Sequence, residues 1–216
     1  MALGNWQSRR ADERRAAEAR FEAALRAPAL EIPSLPGPAA SYIGKRVAAN
    51  GEFAPAHTVL LEYKIRHGRL GYEVVTPLRL RGGALHVAVN RGWVPANPRP
   101  GVLPEIRTPA GEQRIEGLAL KRLPQALQAG PAQEQGTTVR QNLRLEEFQD
   151  ATGLALLPIV IEQWSDSDDG LMREWPQPGA GAEKNEMYAL QWYSLAALCV
   201  VLFVVLSFRD ERTAAS

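Results

Sequence analysis

Cysteine is almost missing from this chain: Cys199 is the only one in 216 residues. An intrachain disulfide, a Cys-rich zinc site and a C-x-x-C-H attachment for c-type haem are therefore excluded. Histidine is scarce as well, with His57, His67 and His86 the only candidate bases of that type. No G-x-S-x-G nucleophile elbow accompanies them, so each is expected to be a surface or satisfied strand residue, and no catalytic residue is expected. Net charge is nearly absent, because 25 Lys and Arg stand against 24 Asp and Glu, and no global basic field points to nucleic acid. Met1-Ala2-Leu3-Gly4 runs straight into polar sequence without an apolar h-region, which predicts no signal peptide.

One long apolar run is present. Met187 to Phe208, M-Y-A-L-Q-W-Y-S-L-A-A-L-C-V-V-L-F-V-V-L-S-F, has Gln191 as its only strongly polar side chain. As a helix rising about 1.5 Å per residue it matches the hydrocarbon thickness of a bilayer. Tyr188, Trp192 and Tyr193 sit at its start, where amphipathic rings favour the headgroup layer, and Arg209 and Arg212 close the far end. The expectation is a transmembrane helix at 187–208 followed by a short tail at 209–216, with the lipid bilayer as one partner. Cys199, inside this run, behaves as a small hydrophobe.

The rest of the chain divides into a helix, a connector and a β-rich domain. Residues 1–27 read as an amphipathic helix with Leu3, Trp6, Arg10, Ala17, Phe21 and Ala24 close to one face. Pro28, Pro33, Pro36 and Pro38 make 28–40 an extended proline-rich connector. Strands are expected at Tyr42 to Phe53, His57 to Lys64, Gly71 to Leu80, Ala84 to Asn90, Gln113 to Leu120, 138–142 and Leu154 to Trp164. Arg81-Gly82-Gly83 is a tight-turn signal that makes 71–90 the clearest hairpin, with Leu85, Val87 and Val89 on one face and His86 on the other, toward solvent or a partner. Residues 95–111 and 124–137 read as loops, and Arg144 to Thr152 as a short helix ended by Gly153. The fold class is α+β: a mainly antiparallel, β-rich extramembrane domain at 41–186 with an N-terminal helix and a C-terminal transmembrane helix.

Two motifs outside the apolar run carry chemical possibilities. Asp166-Ser167-Asp168-Asp169-Gly170 has the acids of a calcium loop, but Gly170 stands where the third acid is needed and Gln177 where a bidentate Glu is needed, so an exposed acidic turn is expected. Asn90-Arg91-Gly92-Trp93-Val94-Pro95 combines a bulge-permitting Gly, a large amphipathic ring and a guanidinium that can stack or pair. It reads either as a strand end packed by its Trp or as a recognition surface.

Five blocks in order, W-Q-S-R-R at Trp6 to Arg10, G-E-F at Gly51 to Phe53, G-R-L-G-Y-E-V-V-T-P-L at Gly68 to Leu78, V-N-R-G-W-V-P at Val89 to Pro95 and Y-A-L-Q-W-Y at Tyr188 to Tyr193, resemble the surfeit locus protein 1 family. The resemblance implies a cytochrome c oxidase assembly factor, not an enzyme, whose domain is held between two transmembrane helices on the extracytoplasmic side of a bacterial cell membrane or the mitochondrial inner membrane. The helix at 1–27 is then expected to follow a missing first transmembrane helix. The resemblance further implies a part in haem a delivery or retention, with oxidase subunit I and other assembly factors as partners. On this reading Asn90, Arg91, Gly92, Trp93, Trp6 and Gln7 bind partners, and Tyr188 and Trp192 lie against the cofactor. The family pattern also implies a His three residues before the Tyr of the last block, a position held here by Asn185. A carboxamide is a poor iron ligand, and Met187 offers only a thioether nearby.

Overall fold

The structure, a computed structural model, describes residues 2–34, 38–99, 101–125, 138–176 and 182–214, the side chains of 2, 182 and 204–214 excepted. Most of the loop expected at 124–137 falls outside the described residues. The chain divides into two compact units, residues 1–23 with 176–216 and residues 24–175.

The larger unit is built from short Val-, Ile- and Leu-rich strands: β1 (Leu30–Glu31), β2 (Arg46–Phe53), β3 (Val59–Arg66), β4 (Arg69–Leu80), β5 (His86–Pro95), β6 (Glu112–Leu120), β7 (Val139–Arg140) and β8 (Leu156–Gln163). β-branched and aromatic side chains fit this pleated, half-covered surface well. The strands order as β1-β2-β6-β8-β5-β4-β3-β7, and an extra β2–β4 pairing closes β2, β6, β8, β5 and β4 into a barrel-like ring. Neighbours are mostly antiparallel, with β1–β2, β3–β7 and β5–β8 parallel. The proline-rich connector therefore contributes a short strand to the sheet.

Closure depends on how the long strand β4 divides one edge. Along Arg69 to Val75 it pairs with β3, and along Leu78 to Leu80 with β2. Pro77 sits at the handover, where its carbonyl accepts the Ala54 N–H at 2.8 Å and its missing N–H removes no ladder bond. Gly51 and Gly117 allow the backbones to approach at the ring's contacts. A Cβ on Gly51 would lie 2.0 Å from the Arg79 carbonyl oxygen, and one on Gly117 would lie 2.0 Å from that of Glu162.

Inside the ring, Val47, Ala49, Phe53, Leu78, Leu80, Val87, Val89, Ile115, Ile159 and Ile161 form the main core. The outer face is covered too. Ala88 and Val160 join Leu123, Leu143 and Phe148, the last from helix α2 (Leu145–Thr152), which ends at the left-handed Gly153. This second layer corrects the expectation for His86, which is only 8 % exposed. Strand β5 is buried on both faces from His86 to Trp93, so its alternation does not divide core from solvent.

The smaller unit contains α3 (Ala182–Ala214) and α1 (Ala2–Arg26) up to Ala23. The apolar run lies wholly within α3, and Glu183–Phe203 is long and apolar enough to cross a membrane. In α1 the buried positions are Gly4, Ala11 and Ala24, with Gln7, Ser8, Ala17 and Phe21 partly covered. The packed face is thus rotated from the expected one: Leu3 and Trp6 are exposed at 51 % and 49 %, and Arg10 is exposed as well.

The steric constraint at Gly117 makes a direct prediction. Gly117→Ala, which pushes a methyl into backbone, should lower unfolding stability by about 1–3 kcal/mol. Denaturant titration of the full chain in detergent, followed by tryptophan fluorescence, measures it; an unchanged midpoint removes Gly117 from the closure argument.

Candidate functional site

Two polar constellations stand out, one in each unit. The first joins α1 to α3. Asn185 Nδ2 donates to Gln7 Oε1 at 2.8 Å, and the Tyr193 hydroxyl donates to Asn5 Oδ1 at 2.7 Å. Arg15 pairs with Glu186 farther along. Gly4 makes this approach possible, since a Cβ there would lie 2.7 Å from the Tyr193 ring. Small residues at a helix contact let backbones come close, and polar partners then fix the register. Tyr188 and Trp192 project from the same part of α3 at 55 % and 41 % exposure, and Arg10 lies over the Trp6 ring at 5.9 Å. Blocks almost the whole chain apart in sequence are therefore side by side.

No imidazole sits in this clasp. Asn185 is engaged with Gln7, and His57, His67 and His86 all belong to the β domain. Among the described residues, no group of three or more His, Cys, Asp or Glu could hold a metal ion. The clasp residues thus bring no imidazole to a haem iron. They offer amide and phenol hydrogen bonds, exposed aromatic faces and the 71 % exposed thioether of Met187.

The second constellation is internal to the β domain and centres on Arg91. A bulge in β5 makes Arg91 the extra residue between Asn90, paired with Val75, and Gly92, paired with Val74. Gly92 has φ 146°, and a Cβ on it would meet the Met172 carbonyl oxygen at 2.8 Å, so only glycine fits. Arg91 is fully buried. It donates from Nη2 to Asp169 Oδ2 at 2.9 Å and to the Arg107 carbonyl at 2.7 Å, from Nη1 to Thr108 Oγ1 at 2.9 Å, and stacks on Phe53 at 4.9 Å. Burial pulls the Arg91 pKa below its ordinary value while Asp169 opposes that shift. Arg173 gives Asp169 a second partner, with Nη2 2.7 Å from Oδ2.

Asp169 is thus an interior counter-ion, the exception in an acidic turn whose Asp166, Asp168 and Gly170 are exposed as expected. Asn90, Arg91 and Trp93, expected at a partner face, are 1 %, 0 % and 2 % exposed, and Gly92 is buried with them. Trp93 is fixed by its indole N–H to the Lys64 carbonyl at 2.8 Å and by a two-bond backbone bridge to Met172. Burial of this stretch follows from the loops at 95–111 and 165–173, which cover it.

Beside it, Glu73 accepts from Arg66 Nη2 at 2.8 Å and Asn90 Nδ2 at 3.2 Å, with Lys64 Nζ at 3.6 Å. Glu162 is the register partner of Asn90 across β5 and β8. Burial, reinforced by the Glu73 charge and opposed by Trp164 and Arg66, pushes the Glu162 carboxyl up to about 7. Sequence spacing left Glu73, Glu162 and Asp169 without roles, because their partners lie on other strands and loops.

A β domain carried in the chain between two helices that clasp each other, one of them long and apolar enough to span a bilayer, defines a membrane-anchored barrel-like protein. The chain belongs to the SURF1 family, whose model matches residues 1–197. It is also similar to a "SURF1-like protein" of Monosiga brevicollis, 25 % identical over 217 residues, covering 94 % of this chain and 82 % of the relative.

Two measurements probe the interior groups. Asp169→Asn leaves Arg91 buried without its counter-charge and should destabilise the fold by about 3–5 kcal/mol, read by denaturant unfolding. For Glu162 the folded pKa lies above the ordinary 4.5, so the folded state binds the extra proton and stability falls as pH rises from about 4.5 to 7. Glu162→Gln should flatten that slope and exceed the parent by on the order of 2 kcal/mol at pH 8, with no such gain at pH 4. Equal pH slopes for the two proteins would refute the raised carboxyl.

Proposed function

We propose that this protein is a membrane-anchored assembly factor for cytochrome c oxidase, assisting haem a delivery or retention during maturation of the largest oxidase subunit. The observation that carries the reading is the clasp. Gln7 of the W-Q-S-R-R block and Asn185, at the family pattern's histidine position, share a hydrogen bond beside exposed Tyr188 and Trp192. Aromatic, partly apolar surface at the head of a membrane helix suits contact with another membrane protein. Trp6, Gln7, Tyr188 and Trp192 are assigned the contact with subunit I. Asn90 to Trp93 act on partners indirectly, by holding the loops that cover them. The β domain is assigned to the extracytoplasmic side of a bacterial cell membrane or of the mitochondrial inner membrane.

Asn185 favours a division of labour in which this chain holds the subunit and does not itself bind the iron. A second reading follows from the same residue: an envelope scaffold that works without haem. The two separate cleanly. Deleting the gene should lower spectroscopically detected haem a in membranes, and an unchanged oxidase spectrum and activity would sink the assembly reading. Gly4→Val, which drives a side chain into the Tyr193 ring, should fail to restore haem a while still being inserted in the membrane. Protein purified from cells that make haem a should show little stoichiometric Soret absorption; a full Soret band would rule out the scaffold and the non-ligating clasp together.

A further inference from the structure

The β3–β4 hairpin ends in an apolar surface that the β domain does not cover. His67 (φ 50°) and Gly68 (φ 72°) form its two-residue turn, both left-handed, as a type I′ hairpin requires. Just behind the turn Ile65 and Leu70 are cross-strand partners, exposed at 62 % and 51 %. Tyr63, at a bulge with φ 59°, is 60 % exposed. A left-handed Tyr costs backbone energy and persists only where surrounding structure enforces it.

The support underneath is rigid. Trp93 bonds the Lys64 carbonyl, Arg66 pairs with Glu73, and Gly71 lies so close to the Trp93 ring that a Cβ would sit 2.5 Å away. The apolar tip is therefore a built surface and not a frayed end. Exposed contiguous apolar side chains on a firm support mark a contact site.

Two observations select the occupant. Arg69, exposed at the base of the turn, makes no ion pair among the described residues, so the rim carries a free cation beside an aromatic and two aliphatics. That composition suits the headgroup layer, where apolar side chains sink and cations meet phosphates. In addition, His67 Nε2 lies 2.7 Å from Glu174 Oε2, and Glu174 is only eight residues before Ala182, where α3 begins. An extended chain of that length reaches at most about 28 Å, which bounds the covalent path from the tip's Glu174 contact to the start of α3.

We propose that the β3–β4 hairpin end seats in the headgroup layer of the bilayer, with Tyr63, Ile65 and Leu70 inserted and Arg69 on lipid phosphate. The inference rests on α3 being a membrane span, and the test separates the two. Full-length protein with Cys199→Ala is placed in nanodiscs of phosphatidylcholine and phosphatidylglycerol containing lipid nitroxide-labelled near the headgroup. Single cysteines at Ile65, at Arg81 beyond the far end of β4, and at Leu195 in α3 carry an environment-sensitive fluorophore. Blue-shifted, quenched emission at positions 65 and 195 with solvent-like emission at 81 is the expected result. Solvent-like emission at 65 with a buried signal at 195 overturns the hairpin proposal alone. Solvent-like emission at 195 removes the membrane span on which it stands. A signal at 65 that arises only when purified oxidase is added assigns the surface to a protein and overturns the lipid assignment.

Discussion

The β domain depends on one fully buried guanidinium. Taking a charge of that size out of solvent costs several kcal/mol even after relaxation, so Arg91 is tolerable only where its partners are assembled around it. Those partners come from the 95–111 loop, through Arg107 and Thr108, and from the 165–173 loop, through Asp169. The loops are thus requirements of the folded barrel, and neither can move away without stranding a buried charge. The proline-rich 95–111 segment, long enough to suggest mobility, is fastened at its far end by this requirement.

The same network extends to the C-terminal end of the β domain. Asp169 also holds Arg173, and Met172 is bridged to Trp93 by two backbone bonds. The segment that leaves the β domain toward α3 is therefore part of the domain's most constrained region up to Arg173, with Glu174 tied on by His67.

Much of the β domain was legible because strand signals are local. β-branched runs, Arg81-Gly82-Gly83 and Gly153 placed the strands from 46 to 163 and α2 nearly where they occur. Facing was not legible. His86 and Asn90 alternate with Val87 and Val89 as if toward solvent, yet a second apolar layer from Leu123, Leu143 and Phe148 and the charged cluster around Glu73 lie over that face. Such cover comes from segments distant in sequence, and periodicity within one strand carries no trace of it. The α1 face held at Ala17, Phe21 and Ala24 and differed at its start for a related reason: hydrophobicity selected Leu3 and Trp6, whereas the Tyr193 ring demanded the smallest residue, Gly4. The blocks around Trp6 and Tyr188 were legible as motifs, and their adjacency was not, since Asn5 and Gln7 have no spacing relation to Tyr193 and Asn185.

That adjacency changes what Asn185 means. An imidazole can either accept a metal or share a hydrogen bond, and at a helix–helix contact it can switch between the two. A carboxamide can only hydrogen-bond, and here it is matched to Gln7, another carboxamide, at 2.8 Å. Two neutral amides form a contact that is insensitive to their own protonation, because neither group titrates. Asn185 thus links α1 and α3 through a group that does not titrate. Any recognition at this end then rests on shape and aromatic surface, supplied by Tyr188, Trp192 and Trp6, and the clasp's contribution is to hold those rings in a fixed relation.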